Sequence, residues 1–270
     1  AHDEYGAEVS PRDFRVAGTI VGSGANPDYA RADVYFTRAI EMEPEDGFWW
    51  QSRAIFRQRA GRVDEAVADF DRSLELNPRD WFVWNNRGIA LRSVGRWDEA
   101  LASFQEARRR SPNRDSVLAN VQGAFQALSQ PEGVVEVATA RLRLNPDQPQ
   151  VLVDRGIHYN HLDRNDEAYA DFERAIELDP GLPSAYLNRG VILRIRGELD
   201  RARQDMERAT QLAPRWFTGW QFLGQLYRAM GLFPEAIEAF ERAVAVATND
   251  RQRNDANRVL QQLRRGEAAD

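Results

Sequence analysis

Cysteine and lysine are both missing from the 270 residues. The first absence excludes disulfides, thiolate nucleophiles and thiolate metal ligands, and leaves the redox compartment open. The second makes all 36 basic side chains arginine, so any cationic site is a guanidinium site, suited to planar bidentate contacts with carboxylates. No apolar run approaches the roughly 18 to 20 residues that a membrane-spanning helix needs, and membrane insertion is not expected. An excess of positive charge is lacking as well. The net charge is −6, which argues against general attraction to nucleic acid or an anionic membrane surface. No glycine-rich phosphate loop, nucleophile elbow or clustered metal motif is evident, so neither an enzyme nor a cofactor is expected. With 43% hydrophobic and 29% charged residues, the remainder has the proportions of an ordinary folded chain.

Against this background one regularity stands out. Pro44, Pro78, Pro112, Pro146, Pro180 and Pro214 follow one another at a spacing of 34 residues. A fixed period of that length marks a stacked supersecondary unit. Taking the third residue after each proline as position 1, units begin at Gly47, Trp81, Asp115, Pro149, Pro183 and Phe217. Position 4 reads Trp50, Trp84, Leu118, Leu152, Tyr186 and Trp220, and position 8 reads Ala54, Gly88, Gln122, Gly156, Gly190 and Gly224. Position 20 is Ala66, Ala100, Val134, Ala168, Ala202 and Ala236; position 24 is Phe70, Phe104, Ala138, Phe172, Met206 and Phe240. Small residues at 8 and 20 let two helices approach, and the large side chain at 24 fills the space beside them. Gly61, Gly95, Gly197 and Gly231, all at position 15, suit a turn that ends the first helix. The prolines stop the second.

This pattern, with Ala107, Ala175, Ala209 and Ala243 at position 27, resembles the tetratricopeptide repeat family over residues 47–250, without insertion. The resemblance implies an all-α fold, an α-solenoid of stacked antiparallel helix pairs forming a right-handed superhelix whose first helices line a concave groove. The third unit, 115–148, departs most, with Gln122, Val134, Ala138 and Arg141 at the signature positions. The expectation there is the same helix pair with looser packing and a local bend.

Three segments follow from this ruler: residues 1–46 as tail and degenerate half-repeat, 47–250 as six consecutive units, and 251–270 as a capping helix and tail. In the first, Ala32, Phe36, Ala39 and Pro44 predict a second helix over 28–43. A first helix over about 13–22 is weakened by Gly18, Gly22 and Gly24, and residues 1–12 read as a flexible tail. At the other end Ala256, Val259, Leu260 and Leu263 share one face of a helix over 251–265, as a cap on the last apolar surface requires. The chain opens on Ala-His-Asp-Glu. Initiator-methionine removal, cleavage of an export signal and trimming of a longer chain all fit this start, so a soluble cytoplasmic and a soluble periplasmic location both stay open.

Two sets of positions carry chemistry. Position 7 reads Arg53, Arg87, Val121, Arg155, Arg189 and Leu223, while position 23 reads Asp69, Ser103, Val137, Asp171, Asp205 and Ala239. In three units arginine accompanies aspartate, in two both positions are apolar, and the second pairs Arg87 with Ser103, so the two positions are expected to touch. Buried or half-buried bridges are predicted at 53/69, 155/171 and 189/205. Such pairs specify helix register more than they add stability, because desolvation offsets attraction.

The second set is a stripe at positions 2, 5, 6, 9, 12 and 13, which share one helical face. Position 6 gives Ser52, Asn86, Asn120, Asp154, Asn188 and Phe222. A primary amide donates and accepts at once, so such a row can bond an extended peptide backbone. It is similar to the asparagine ladder of peptide-binding family members at Asn86, Asn120 and Asn188 alone. Around it lie Phe48 and Phe82 with Arg59, Arg92, Arg194 and Arg228. Four arginines against Asp154 give the stripe a sign opposite to that of the chain. The lysine-based carboxylate clamp of chaperone-binding relatives is missing. Asp154, His158 and His161 have i, i+4, i+7 spacing, but a polar patch is the expected reading and no metal is assigned.

The leading expectation is a non-catalytic scaffold binding an extended protein or peptide segment, acidic by charge complementarity, in the groove. The alternative is an assembly module forming homo-oligomers or larger complexes through its ends or convex face, with Trp49, Trp81 and Trp97 as exposed aromatics.

Overall fold

The computed structural model describes residues 10–23 and 25–266. The described residues form fifteen helices and no strand. They fall into two compact units that meet in sequence between Gly133 and Val134, inside the divergent third repeat. Residues 1–9 of the expected tail lie outside the described residues, as do Gly24 and 267–270.

The first unit holds α1 (Pro11–Ser23), α2 (Tyr29–Met42), α3 (Gly47–Arg59), α4 (Val63–Leu76), α5 (Trp81–Ser93), α6 (Trp97–Arg110) and α7 (Asp115–Ala127). Helix α8 (Pro131–Leu144) contains the boundary. The second unit continues with α9 (Pro149–His161), α10 (Asn165–Leu178), α11 (Pro183–Ile195), α12 (Leu199–Leu212), α13 (Phe217–Ala229), α14 (Phe233–Val246) and α15 (Asp250–Arg264). In the first unit α1 packs on α2, α3 on α4 and α5 on α6; in the second α9 packs on α10, α11 on α12 and α13 on α14, and α15 lies against α14. First helices also touch the next first helix, α3 to α5 to α7 and α9 to α11 to α13. They therefore form a layer of their own in each unit.

Position 15 has a left-handed backbone in every one of the six repeats. It is glycine at 61, 95, 197 and 231, with φ between 74° and 80°, and Ser129 (φ 54°) or Asp163 (φ 56°) in the other two. Each period-setting proline follows two residues after a second helix ends, as Pro78 follows Leu76 and Pro180 follows Leu178. The proline carbonyl has a second use. The indole N–H groups of Trp50, Trp84 and Trp220 donate to the carbonyls of Pro44, Pro78 and Pro214 at 2.9, 3.1 and 2.9 Å. Tryptophan at position 4 thus ties a first helix to the turn before it.

The core repeats one close contact wherever position 8 is glycine, at 88, 156, 190 and 224. A Cβ on Gly88 would lie 2.5 Å from the Phe104 ring, and one on Gly156 would lie 2.6 Å from that of Phe172. Phe36, Phe70, Phe104, Phe172 and Phe240 are fully buried.

Helix α1 departs from the ruler by starting at Pro11, two residues before the 34-residue period places position 1. Gly18 then packs against Phe36, as the position 8 glycines do against their partners. The extra residues lie in the turn before α2, so Pro11 and Arg12 are helical rather than part of a tail. Helix α2 begins at Tyr29, capped by Asp28, whose carboxylate accepts from the Arg31 amide at 2.9 Å. Trp49 is another difference: it is 4% exposed and donates to Glu43 at 2.7 Å, so it belongs to the core rather than to an exposed aromatic surface.

Candidate functional site on the first helices

Position 7 points each arginine back to its own second helix. In the second unit Arg155 donates through Nε and Nη2 to the two carboxylate oxygens of Asp171 at 2.8 and 2.7 Å, and Arg189 grips Asp205 the same way at 2.8 and 2.9 Å. Arg155 Nη1 reaches further, to Thr139 on α8, at 3.1 Å. In the first unit Arg53 meets Asp69 at 2.9 and 2.7 Å and Thr37 at 2.9 Å. Arg87 bonds Ser103 at 2.8 Å and adds Asp71 at 2.7 Å. The Asp171 hydrogen bonds hold the Arg155 guanidinium above its already high ordinary value, against the effect of burial.

Around Arg53 the pair widens into a network that the sequence did not announce. Arg57 donates to Asp33 at 2.6 Å and to Asp69 at 2.8 Å, and Arg62 approaches Asp33 at 3.3 Å. Burial alone would raise the Asp33 carboxyl, but the bonds and charges of Arg57 and Arg62 hold it below the usual carboxylate range. Arg57 stands at position 11, elsewhere apolar or tyrosine, and that break in the column was the one available signal.

The stripe residues sit on the first helices with their amides in three different states. The Asn86 Nδ2 is buried and has no partner. Asn120 is engaged on both sides: it donates to Asn85 Oδ1 at 2.8 Å and accepts from Arg92 at 3.0 Å. Asn188 donates back to the Ser184 carbonyl at 2.8 Å, leaving its oxygen uncommitted. Asn85, a buried position 5 residue, is the stripe member that position 6 alone could not reveal.

Arg59, Arg194 and Arg228 make no ion pair among the described residues, and Arg92 bonds an amide rather than a carboxylate. The second helices carry both states, since Arg143 and Arg208 there also make no ion pair among the described residues. Arg72 pairs with Glu75 and Glu45, and Arg174 pairs with Glu177 and Asp147. In the first unit Phe48 and Phe82 are large apolar side chains left 39% and 43% exposed.

The histidine patch is polar. Gln150 donates to Asp154 at 3.0 Å, and the His158 and His161 rings meet edge to face at 5.4 Å. Burial, helped by His161 and opposed by Asp154, holds His158 below its ordinary 6.5. Among the described residues no group of three or more His, Cys, Asp or Glu is arranged to hold a metal. No helix among them is long and apolar enough to cross a membrane.

Within each unit, a layer of first helices backed by second helices defines a helical repeat protein. The chain belongs to the tetratricopeptide repeat family: models of this repeat match residues 52–115, 150–182, 172–204 and 220–254, together more than half its length. The family is generally a non-catalytic protein-interaction scaffold. Among solved structures, the C-terminal part of a TPR repeat-containing protein from Cytophaga hutchinsonii is 18% identical with a TM-score of 0.68, covering 90% of this chain and 98% of its own. YrrB, described as a TPR protein with an unusual peptide-binding site, is 23% identical with a TM-score of 0.59, covering 66% and 92%. MamA is 22% identical with a TM-score of 0.56, covering 62% and 91%. At these identities the likeness is one of fold. No curated protein matches the sequence significantly.

Proposed function

We propose that this chain holds an extended acidic segment of another protein against the exposed face of its first helices. One observation carries this reading: first-helix arginines lie without carboxylate partners in each unit, Arg59 in the first and Arg194 and Arg228 in the second, in a chain whose net charge is −6. A cation left unpaired among apolar neighbours keeps its attraction for an incoming anion, and complementary potential gives both speed and selectivity of encounter. Exposed Phe48 and Phe82 supply apolar anchorage, the usual energetic centre of an interface. The uncommitted Asn188 oxygen offers an acceptor to a peptide backbone.

The test is capture of partners from a native extract by the intact chain. Replacing Arg194 and Arg228 by Glu, and separately Asn86, Asn120 and Asn188 by Ala, should each deplete the captured set, the first more steeply at low salt. Capture unchanged by both, together with size that grows with concentration, would favour self-assembly instead.

A further inference from the structure

A cleft lies between α1 and α3. Its volume is about 550 Å³, within the range of side-chain and ligand pockets. Helix α1 carries Gly22 where the other first helices carry Gln58, Arg92, Gln126, Asn160, Arg194 and Arg228. Gly18 and Gly22 let α1 settle against the rings of Phe36 and Phe56, which stack at 5.2 Å to form the floor. Val16 and Ile20 on α1 are left 52% and 69% exposed, facing the same space as Phe48 and Ile55 of α3.

The rim carries charge of one sign. Arg15 stands over the Phe48 ring at 5.8 Å and Arg59 over the Phe56 ring at 5.5 Å. Neither guanidinium has a carboxylate partner among the described residues, and no acidic side chain lines the cleft. Exposed aliphatic side chains of this size between two unpaired cations are unfavourable for a surface that stays bare. They suit a ligand that brings apolar bulk and negative charge together.

We infer that this cleft is the anchoring subsite for a peptide in which large apolar residues are flanked by Asp or Glu, the apolar side chains entering between α1 and α3 and the carboxylates meeting Arg15 and Arg59. The inference rests on the groove reading above and sharpens it, since it names one end of the first unit and the chemistry taken there. Planar guanidinium groups hold carboxylates bidentately, and the acidic remainder of the surface repels the same peptide elsewhere.

The test uses the full chain and three fluorescein-labelled hexapeptides, read by fluorescence anisotropy at low and at physiological salt. They are Glu-Glu-Leu-Phe-Glu-Glu, its all-lysine counterpart Lys-Lys-Leu-Phe-Lys-Lys, and Glu-Glu-Ser-Ser-Glu-Glu. The first should bind and the other two should not. Ile20→Asp, and the double change Arg15→Glu with Arg59→Glu, should each weaken the first by roughly tenfold or more. The double variant should also acquire affinity for the lysine peptide, a gain that misfolding does not produce. Equal binding of the acidic peptide by wild type and both variants, its failure to bind at all, or equal binding of the serine peptide would overturn the cleft. Loss on Arg194→Glu or Asn86→Ala with no effect of the cleft variants would overturn it while leaving the broader groove reading standing. Indifference to every one of these changes would remove both.

Discussion

Arg155 and Asp171 stand on the two helices of one repeat and meet edge to edge, two guanidinium nitrogens donating to two carboxylate oxygens at 2.8 and 2.7 Å. Asp171 is nearly buried, at 8% side-chain exposure against 18% for Arg155. Removing the arginine would strand a desolvated carboxylate. Removing both costs far less, as the chain illustrates in its own repeats: the same two positions are Leu223 and Ala239 in the last, both 2% exposed.

A double-mutant cycle checks this directly. Asp171→Ala should cost on the order of 3 kcal/mol in urea unfolding, the lower end for a buried pair because Arg155 keeps some contact with water. The double variant Arg155→Leu with Asp171→Ala, copying the last repeat, should be more stable than the single one. Additive losses would show that the two residues act independently.

Two helix glycines should respond in opposite directions. At Gly88 an added methyl would sit 2.5 Å from the Phe104 ring, whereas at Gly123 nothing lies within 4 Å. Gly88→Ala should destabilise by about 1–3 kcal/mol through overpacking. Gly123→Ala should stabilise by about 0.5–1 kcal/mol, the gain for a helix interior. Thermal melts of the two variants give the signs.

Ser129 carries a backbone conformation that four other repeats give to glycine, at φ 54°. Ser129→Gly should raise stability by up to about 1 kcal/mol, the left-handed strain relieved outweighing the added chain entropy. Ser129→Val, which cannot take this conformation without strain, should lower it, and denaturant midpoints distinguish the two.

His158 is held below 6.5 in the fold by burial and by His161. Its unfolded form therefore takes up a proton first as pH falls, and stability declines from about pH 6.5 downward through the folded-state value. His158→Gln should flatten that part of the stability profile. An imidazole titration by NMR at or above 6.5 would contradict the shift.

The repeat was legible because its determinants are local: proline at position 32, a turn residue at 15 and small residues at 8 and 20 each act within one helix pair. Pro44 and Pro214 fixed second-helix ends closely for that reason. The α1 register was not legible, since extra turn residues break a ruler that has no tolerance for insertion. The Arg53–Asp69 geometry could be read from covariation between repeats, but the Arg57–Asp33 contact occurs once and has no column to reveal it. For the stripe, spacing identified the face and missed the state of each amide. Asn120 meets Asn85 across 35 residues of sequence, a contact set by how neighbouring first helices lie rather than by period.

The central claim is that the first-helix face, and not the second-helix face, receives the partner. A photo-crosslinking phenylalanine analogue placed at Phe82 on α5, and in a second protein at Arg72 on α4, compares the two faces in native extract. The account predicts a discrete crosslinked partner from position 82, weakened by Asn86→Ala and by raised salt, and none from position 72. Crosslinks from position 72 with none from position 82 would contradict it.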